Sequence, residues 1–157
     1  MRLFLLVPVL LLLSGCVPSY DVGYTLHNGK PAVYMPICEG WKVERFSIGT
    51  RASGSGSDSV SWSVESVGGN TNFFVLGEVP EGYRVTSERD PSSDFPLNAE
   101  YLASIYQSLP GDTHKQGPGT QSMIFDFTDA EEGVIKILGR VVTLDQLNAS
   151  LASRCPA

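Results

Sequence analysis

The sequence predicts a mainly β protein: an antiparallel β-sandwich of Ig-like or related type, with a short C-terminal helix. Short runs that alternate apolar and polar residues recur roughly every 8–12 residues, which is the spacing of an all-β sandwich or barrel. Glycine (16 residues) and proline (10 residues) mark turns between the runs. The last run, from Leu144, has instead the three-to-four-residue apolar spacing of a helix.

The first two runs predict a β-hairpin. Asn28-Gly29 separates Val22–His27 from Ala32–Cys38. Asn-Gly is the strongest short signal for a type I′ turn, because both central residues of that turn need a positive φ. Within the second run, Pro36 has no N–H to donate to a neighbouring strand. The second run is therefore expected to be an edge strand or to carry a bulge at Pro36.

Four further runs continue the strand pattern. Lys42–Thr50 alternates if a bulge reconciles the faces of Val43 and Ile48. Ser59–Val67 is the clearest strand, and Phe73–Val79 and Tyr83–Ser87 are shorter ones. The side chains expected on the core-facing side of Ser59–Val67 are Val60, Trp62 and Val64.

The run Leu97–Leu109 fits two patterns. Leu102, Ile105 and Leu109 would form a helical stripe, whereas Tyr101, Ala103 and Ile105 would form one face of a strand. Because the neighbouring runs are strands, we favour a strand here.

The C-terminal part predicts strands followed by a helix. Gln121–Thr128 is a strand, and Glu132–Val142 gives one or two short strands around Gly139. Thr143 and Gln146 match a capping box at the start of a helix over Leu144–Ser153. The apolar residues expected on one face of Gln121–Thr128 are Met123, Phe125 and Phe127, and those expected on the buried face of the helix are Leu144, Leu147 and Leu151.

The N-terminal region predicts membrane attachment. Leu3–Leu13 follows Arg2 and has the length of a secretory hydrophobic region. It is too short for a transmembrane helix, which needs about 20 apolar residues. Its end, Leu13-Ser14-Gly15-Cys16, resembles a bacterial lipobox.

The lipobox resemblance implies the domain organisation. Residues 1–15 would be a lipoprotein signal peptide, residues 16–21 a lipidated tether, and residues 22–157 a single β-rich domain on the extracytoplasmic side. The lipobox resemblance implies a diacylglyceryl group and palmitate on Cys16, and such a lipid would meet the need of stable anchoring for more than one acyl chain. The domain would face the cell surface or a periplasm.

Three later segments resemble small uncharacterised lipoproteins of actinobacteria: a hairpin that ends in a cysteine (Lys30–Cys38), a tryptophan-containing strand (Val60–Val64) and a terminal helix that ends in a second cysteine (Val142–Cys155). That resemblance supports the fold and implies no activity.

The three cysteines agree with the lipobox. Assigning Cys16 to lipid leaves Cys38 and Cys155, an even pair in an exported domain. The oxidising side of the membrane favours a disulfide between them.

The net charge of −6 limits the classes of partner. A chain this acidic has no basic surface for nucleic acid, and anionic lipid head groups would repel it. Membrane attachment is therefore expected through the lipid on Cys16, with an unknown protein or glycan as the functional partner.

Signals for enzyme chemistry are weak. His27 abuts a turn, His114 lies in a polar loop, and no Gly-x-Ser-x-Gly elbow or zinc-binding motif occurs. Gly54–Ser57 lacks the Lys-Ser/Thr of a phosphate-binding loop. We interpret the acidic group Asp126, Asp129, Glu131 and Glu132 as a solvated turn rather than a calcium loop, because the calcium-loop register is absent. The sequence therefore predicts no metal, no cofactor and no catalytic residue.

The aromatic residues suggest a binding surface. Trp62 is expected in the core, whereas Trp41 follows the Glu39-Gly40 turn and is expected to be exposed. Tyr34 and Trp41 would then mark a partner-binding edge, since exposed strand edges and aromatics are what partners contact. Two hypotheses follow: a non-enzymatic surface or periplasmic binding or envelope-associated module, and, as the alternative, a small carboxylate-dependent extracytoplasmic hydrolase.

Overall fold

The computed structural model describes residues 22–37, 39–51, 59–87, 95–108 and 121–152. Two five-stranded antiparallel sheets pack against each other, and one short helix follows them near the C-terminus. The predicted β-sandwich is therefore confirmed. Within the described ranges, no helical segment combines the length and the hydropathy that a membrane span requires.

The strands are distributed over the two sheets in a fixed order. The first sheet has the order β10-β9-β1-β2-β5, and the second has the order β6-β4-β3-β7-β8. The elements are β1 Gly23–His27, β2 Lys30–Tyr34, β3 Lys42–Thr50, β4 Ser59–Ser66, β5 Phe73–Val75, β6 Tyr83–Val85, β7 Tyr101–Ser108, β8 Gln121–Phe125, β9 Ile135–Ile137, β10 Arg140–Val142 and α1 Leu144–Ala152.

The β1–β2 hairpin forms as predicted. Asn28 and Gly29 have φ values of 53° and 74°, as a type I′ turn requires. The expectation that the second strand is an edge or bulged strand is wrong, because β2 lies between β1 and β5. The strand ends at Tyr34, so Pro36 lies outside it and its missing N–H removes no bond from the sheet.

The core between the sheets is rich in aromatic side chains. Phe46 stacks on Phe74 with ring centroids 4.5 Å apart, and Trp62 meets the edge of Phe46 at 5.9 Å. Val64 is buried beside them, as the alternation of β4 predicts. In β3, the register shifts between Val43 and Arg45, which is the bulge that the sequence required.

The ambiguous run Leu97–Leu109 contains a strand. In β7, buried and half-buried residues alternate over all eight positions, and Tyr101, Ala103 and Ile105 face the core. Leu109 lies outside the described residues.

The C-terminal helix begins with the predicted capping box. The backbone N–H of Gln146 donates to the Thr143 hydroxyl at 3.1 Å, and the backbone N–H of Thr143 donates to the side-chain oxygen of Gln146 at 2.8 Å. Leu147 is buried as expected, but Leu144 is 40% exposed. Leu147 lies against Gly23 of β1, so this contact with the first sheet is made three residues after Leu144. The side chain of Leu151 and residue Ser153 lie outside the described residues.

The turn of the β1–β2 hairpin is hydrogen-bonded to a side chain from the C-terminal part of the chain, Glu132. Both carboxylate oxygens of Glu132 accept backbone hydrogens from the turn, from Asn28 at 2.8 Å and from Gly29 at 3.0 Å. These two bonds lower the pKa of Glu132 below its usual value, and the bond from Gly29 has the larger effect. The ionised carboxylate of Glu132 therefore stabilises the turn. This stabilisation is fully present above the ordinary glutamate pKa, and it is lost as the pH falls through the lowered pKa of Glu132.

We expect the amide protection factors of Asn28 and Gly29 to fall as the pH drops below the ordinary glutamate range and through the lowered pKa of Glu132, where this carboxylate takes up a proton. Glu132→Gln should lower both factors at pH 7 and remove this dependence on pH, because glutamine offers one acceptor oxygen. Hydrogen exchange followed by NMR measures the effect. The amide of Phe46, in the core, is the control for global unfolding. Equal protection of the turn at pH 3 and pH 7 in the wild type contradicts the expectation.

Candidate functional site

A groove of about 360 Å³ opens at one end of the sandwich, between the first and the second sheet. Its described lining combines apolar and acidic side chains with a tyrosine. The residues are Tyr24, Glu100, Ile124, Phe125, Asp126, Asp129, Leu138 and Gly139. The volume lies at the lower end of the range of small-ligand sites.

The groove exists because the sheets do not overlap completely. The ring of Tyr24 on β1 stacks on that of Phe125 on β8, with centroids 5.8 Å apart and an interplanar angle of 9°. Among the described strands, β8 is one of the two edge strands of the second sheet. The strands β9 and β10 continue the first sheet beyond β1, so no described strand of the second sheet covers them. The β9–β10 hairpin forms one wall of the opening.

The hydroxyl of Tyr24 links the β9–β10 hairpin to the acidic segment, residues 126–132. It donates to Asp129 Oδ1 at 2.9 Å and accepts the backbone hydrogen of Gly139 at 3.1 Å. Burial, followed by the hydrogen bond to Asp129, raises the pKa of Tyr24 above its usual value. The hydroxyl is therefore protonated at neutral pH and acts as a donor, which makes it a structural group rather than a base.

Lys136 also binds the acidic segment. Its side chain is 8% exposed, and its Nζ donates to Glu131 Oε1 at 2.8 Å and to the carbonyl oxygen of Asp129. A second contact, at 3.5 Å, joins it to Asp129 Oδ2. The hydrogen bond to Glu131 is the main reason that the pKa of Lys136 is raised. A lysine this buried is stable in its charged form because two carboxylates surround it.

The four acidic residues singled out in the sequence are exposed, and each has a bond within the fold. Asp126 Oδ1 accepts the backbone hydrogen of Thr128 at 2.9 Å, Glu132 binds the first hairpin, and Asp129 and Glu131 bind Lys136. In the described part of the chain, no three histidine, cysteine, aspartate or glutamate side chains are grouped to hold a metal ion.

The predicted partner-binding edge does not have the expected form. Trp41 is only 6% exposed, so the expectation of an exposed tryptophan is wrong. It lies two residues before the buried Val43, and the alternation of an extended chain puts both on the core side. Tyr34 is half-buried, with its ring centroid 4.4 Å from that of Phe73. A role of Tyr34 in binding stays a prediction.

The remaining predicted residues lie elsewhere. Cys16, Cys38, Cys155 and His114 are outside the described residues, so the lipid site and the disulfide stay predictions. His27 is exposed and has its ring 5.4 Å from that of Phe73. Among the described residues that line the groove, none is a histidine, serine or cysteine.

Sequence reasoning missed the apolar part of the groove. Leu138 is 63% exposed and sits in the β9–β10 turn with a φ of 48°, a rare conformation for leucine. One signal was available, because Leu138-Gly139 stands between two short strands where Asn-Gly would be the ordinary choice. Ile124 and Glu100 carried no local signal.

Comparisons with protein-family models, with curated proteins and with solved structures found no match for this chain. The function has therefore to be inferred from the groove.

The Tyr24 hydroxyl is expected to stabilise both the fold and the groove. Tyr24→Phe leaves Asp129 Oδ1 and the Gly139 N–H without this partner, which should lower the free energy of unfolding by about 1–3 kcal/mol. Urea denaturation measures the change. Asp129→Asn is the comparison, because it keeps an acceptor for the hydroxyl and removes the charge beside Lys136. Equal stability of Tyr24→Phe and wild type would show that the bond carries no net stabilisation.

Proposed function

We propose that the protein is a lipid-anchored, non-enzymatic binding module on the extracytoplasmic side of a membrane, and that the groove is its binding site. The observation that carries this proposal is the groove itself. It combines exposed apolar side chains, Ile124 and Leu138, with the carboxylates of Glu100 and Asp126. A concave site with apolar walls and a few polar groups is the usual form of a binding site.

The bonds of the acidic residues support binding over catalysis. Asp129 already accepts from Tyr24 and contacts Lys136. One oxygen of Asp126 is bonded to the backbone of Thr128. Glu100 contacts Arg51 at 3.6 Å, so all three carboxylates have a partner within the fold. A general base needs free access to the proton that it removes.

The alternative is a carboxylate-dependent hydrolase. One observation favours it: Glu100, Asp126 and Asp129 line the same groove, and hydrolases use pairs of carboxylates as acid and base. The absence of a histidine or serine from the described lining is compatible with such a mechanism. The two functions differ in a measurable way, since only a hydrolase loses turnover when a single carboxylate becomes an amide.

The lipobox supports the membrane location. Five residues, 17–21, connect Cys16 to Val22, where the described domain begins. Even fully extended, a chain of this length spans about 20 Å. Lipid on Cys16 would therefore keep the domain, and the groove with it, next to the membrane surface.

For the anchor, we expect the protein from a bacterial host with lipoprotein processing to begin at Cys16 and to carry acyl mass. Intact-mass spectrometry of the membrane fraction measures both features. Cys16→Ala should give uncleaved precursor or released protein. A mature form that begins at another residue and lacks lipid contradicts the anchor and leaves the groove proposal standing.

For the groove, we expect a photo-reactive benzoylphenylalanine to form a discrete adduct in intact cells when it replaces Ile124. The same group at Val79, which is 47% exposed and does not line the groove, is the matched control. Adducts are detected by immunoblot and mass spectrometry.

Purified wild type, Glu100→Gln and Asp126→Asn are then assayed on ester, peptide and glycan substrates. Hydrolysis by the wild type that either substitution abolishes would replace the binding proposal with the hydrolase. Adducts that are equal at Ile124 and Val79 would remove the groove as the binding site.

A further inference from the structure

Two hairpin turns in the first sheet have closely similar φ values and different residues. Asn28 and Gly29 have φ values of 53° and 74°, and Leu138 and Gly139 have values of 48° and 76°. Asparagine tolerates this left-handed conformation, because its short side chain can bond locally, whereas leucine is disfavoured there. The chain therefore has the ordinary residue in one turn and an unfavourable one in the other.

Burial of the side chain does not offset the unfavourable backbone conformation of Leu138. A leucine in a disfavoured conformation is expected where its side chain fills the core, but that of Leu138 is 63% exposed. The fold gains little from this side chain, so the reason for a leucine at this position lies outside the folded chain. Strained positions of this kind are concentrated at functional sites.

The surroundings of Leu138 extend its apolar surface. Ile124 and the ring of Phe125 lie across the same groove. Val141, on the neighbouring edge strand β10, is 67% exposed. Val141 pairs with Lys136, which pairs with Tyr24, so all three side chains are on the same face of the sheet. Val141 is therefore on the sheet face that also carries Tyr24, with Lys136 between them, and Leu138, Ile124 and Phe125 are the apolar residues of the groove lining itself.

The wall of the groove at the start of β7 and the end of β8 carries carboxylates beside Ile124. Glu100 forms an exposed ion pair with Arg51, at 3.6 Å, and such pairs contribute little and exchange partners readily. Asp126 is exposed beside it, with only one oxygen bonded to Thr128 among the described contacts. None of the described lining residues is basic. The charge that complements this wall is therefore positive.

The tether joins the domain at the same end. Tyr24 pairs with Lys136 in antiparallel register, so Val22 comes level with Leu138. If Cys16 carries lipid, the groove lies within about 20 Å of the membrane. Its occupant must therefore be reachable at that surface. The acidic wall disfavours anionic lipid head groups as the occupant.

From this placement, we propose that the groove binds an extended segment of a membrane-associated protein in which an apolar side chain stands next to a lysine or arginine. The apolar side chain contacts Leu138 and Ile124, and the cation contacts Glu100 and Asp126. This inference rests on the proposed binding function and adds the chemistry of the partner.

The test uses the mature full-length protein in phosphatidylcholine nanodiscs and three synthetic probes, followed by methyl NMR at Ile124. The probes are acetyl-Leu-Lys-Leu-Lys-amide, acetyl-Leu-Glu-Leu-Glu-amide and acetyl-Ser-Lys-Ser-Lys-amide. Only the first should shift the Ile124 methyl signals at low millimolar concentration, because it alone has both the apolar and the cationic groups.

Four variants separate a binding role of Leu138 from a structural one. Leu138→Asn should weaken binding of the first probe about tenfold, as the loss of one buried leucine contact implies. The same variant should keep or raise the melting temperature, because asparagine suits the turn. Glu100→Gln and Asp126→Asn should each weaken binding severalfold, and the weakening should shrink at high salt. Val67→Asn, at a residue 58% exposed and outside the groove lining, is the control and should change neither property.

The outcomes separate the inference from the proposed function. A lower melting temperature with unchanged binding in Leu138→Asn makes Leu138 a structural residue and overturns the inference. Equal shifts with the lysine and glutamate probes also overturn it and leave a groove that binds proteins without regard to charge. If no probe shifts Ile124, the inference fails, while the adduct formed at Ile124 in cells still decides whether the groove is a binding site.

Discussion

The stacking of Tyr24 on Phe125 is the contact on which both the sandwich and its groove depend. The two rings join β1 of the first sheet to β8 of the second. The hydroxyl at the far end of the Tyr24 ring bonds to Asp129 and Gly139. A tyrosine suits this position because it combines a large apolar body with a polar end. One side chain thus closes the core and positions the acidic segment beside the β9–β10 hairpin.

The groove follows from how the sheets are offset. Stacking of Phe46 on Phe74 sets β3 over β5, and stacking of Tyr24 on Phe125 sets β8 over β1. The first sheet then continues for two strands with no described strand opposite them. The segment with Asp129 and Glu131 covers part of this overhang, and Lys136 beneath it is buried for that reason. The part that stays open is the groove.

The acidic residues show how one segment can serve the fold and a site together. Glu132 holds the β1–β2 turn and Glu131 neutralises a buried lysine. Both carboxylates are therefore fixed by the fold. Asp126 and Glu100 have weaker or more exposed partners. The carboxylates least fixed by the fold are therefore those of Glu100 and Asp126, which flank β7 and β8 and line the groove together with Leu138.

The sequence by itself determined the features that depend on neighbouring residues. The Asn28-Gly29 turn, the capping box at Thr143, the alternation of β4 and the bulge of β3 all follow from local sterics and from the period of two. The strand over Tyr101–Ser108 needed its neighbours as well, since its apolar pattern also fitted a helix. These signals sufficed for the β-sandwich.

Only the tertiary structure decided which strands meet and which side chains they leave open. Trp41 follows a turn and is nevertheless buried. The run that contains Pro36 nevertheless includes an inner strand, β2. Tyr24, Glu100 and Leu138 are far apart in the chain and line one groove. The order of the strands and the offset of the sheets depend on contacts between distant residues, and local periodicity carries no record of them. For that reason the sequence predicted the scaffold, and the three-dimensional packing determined the site.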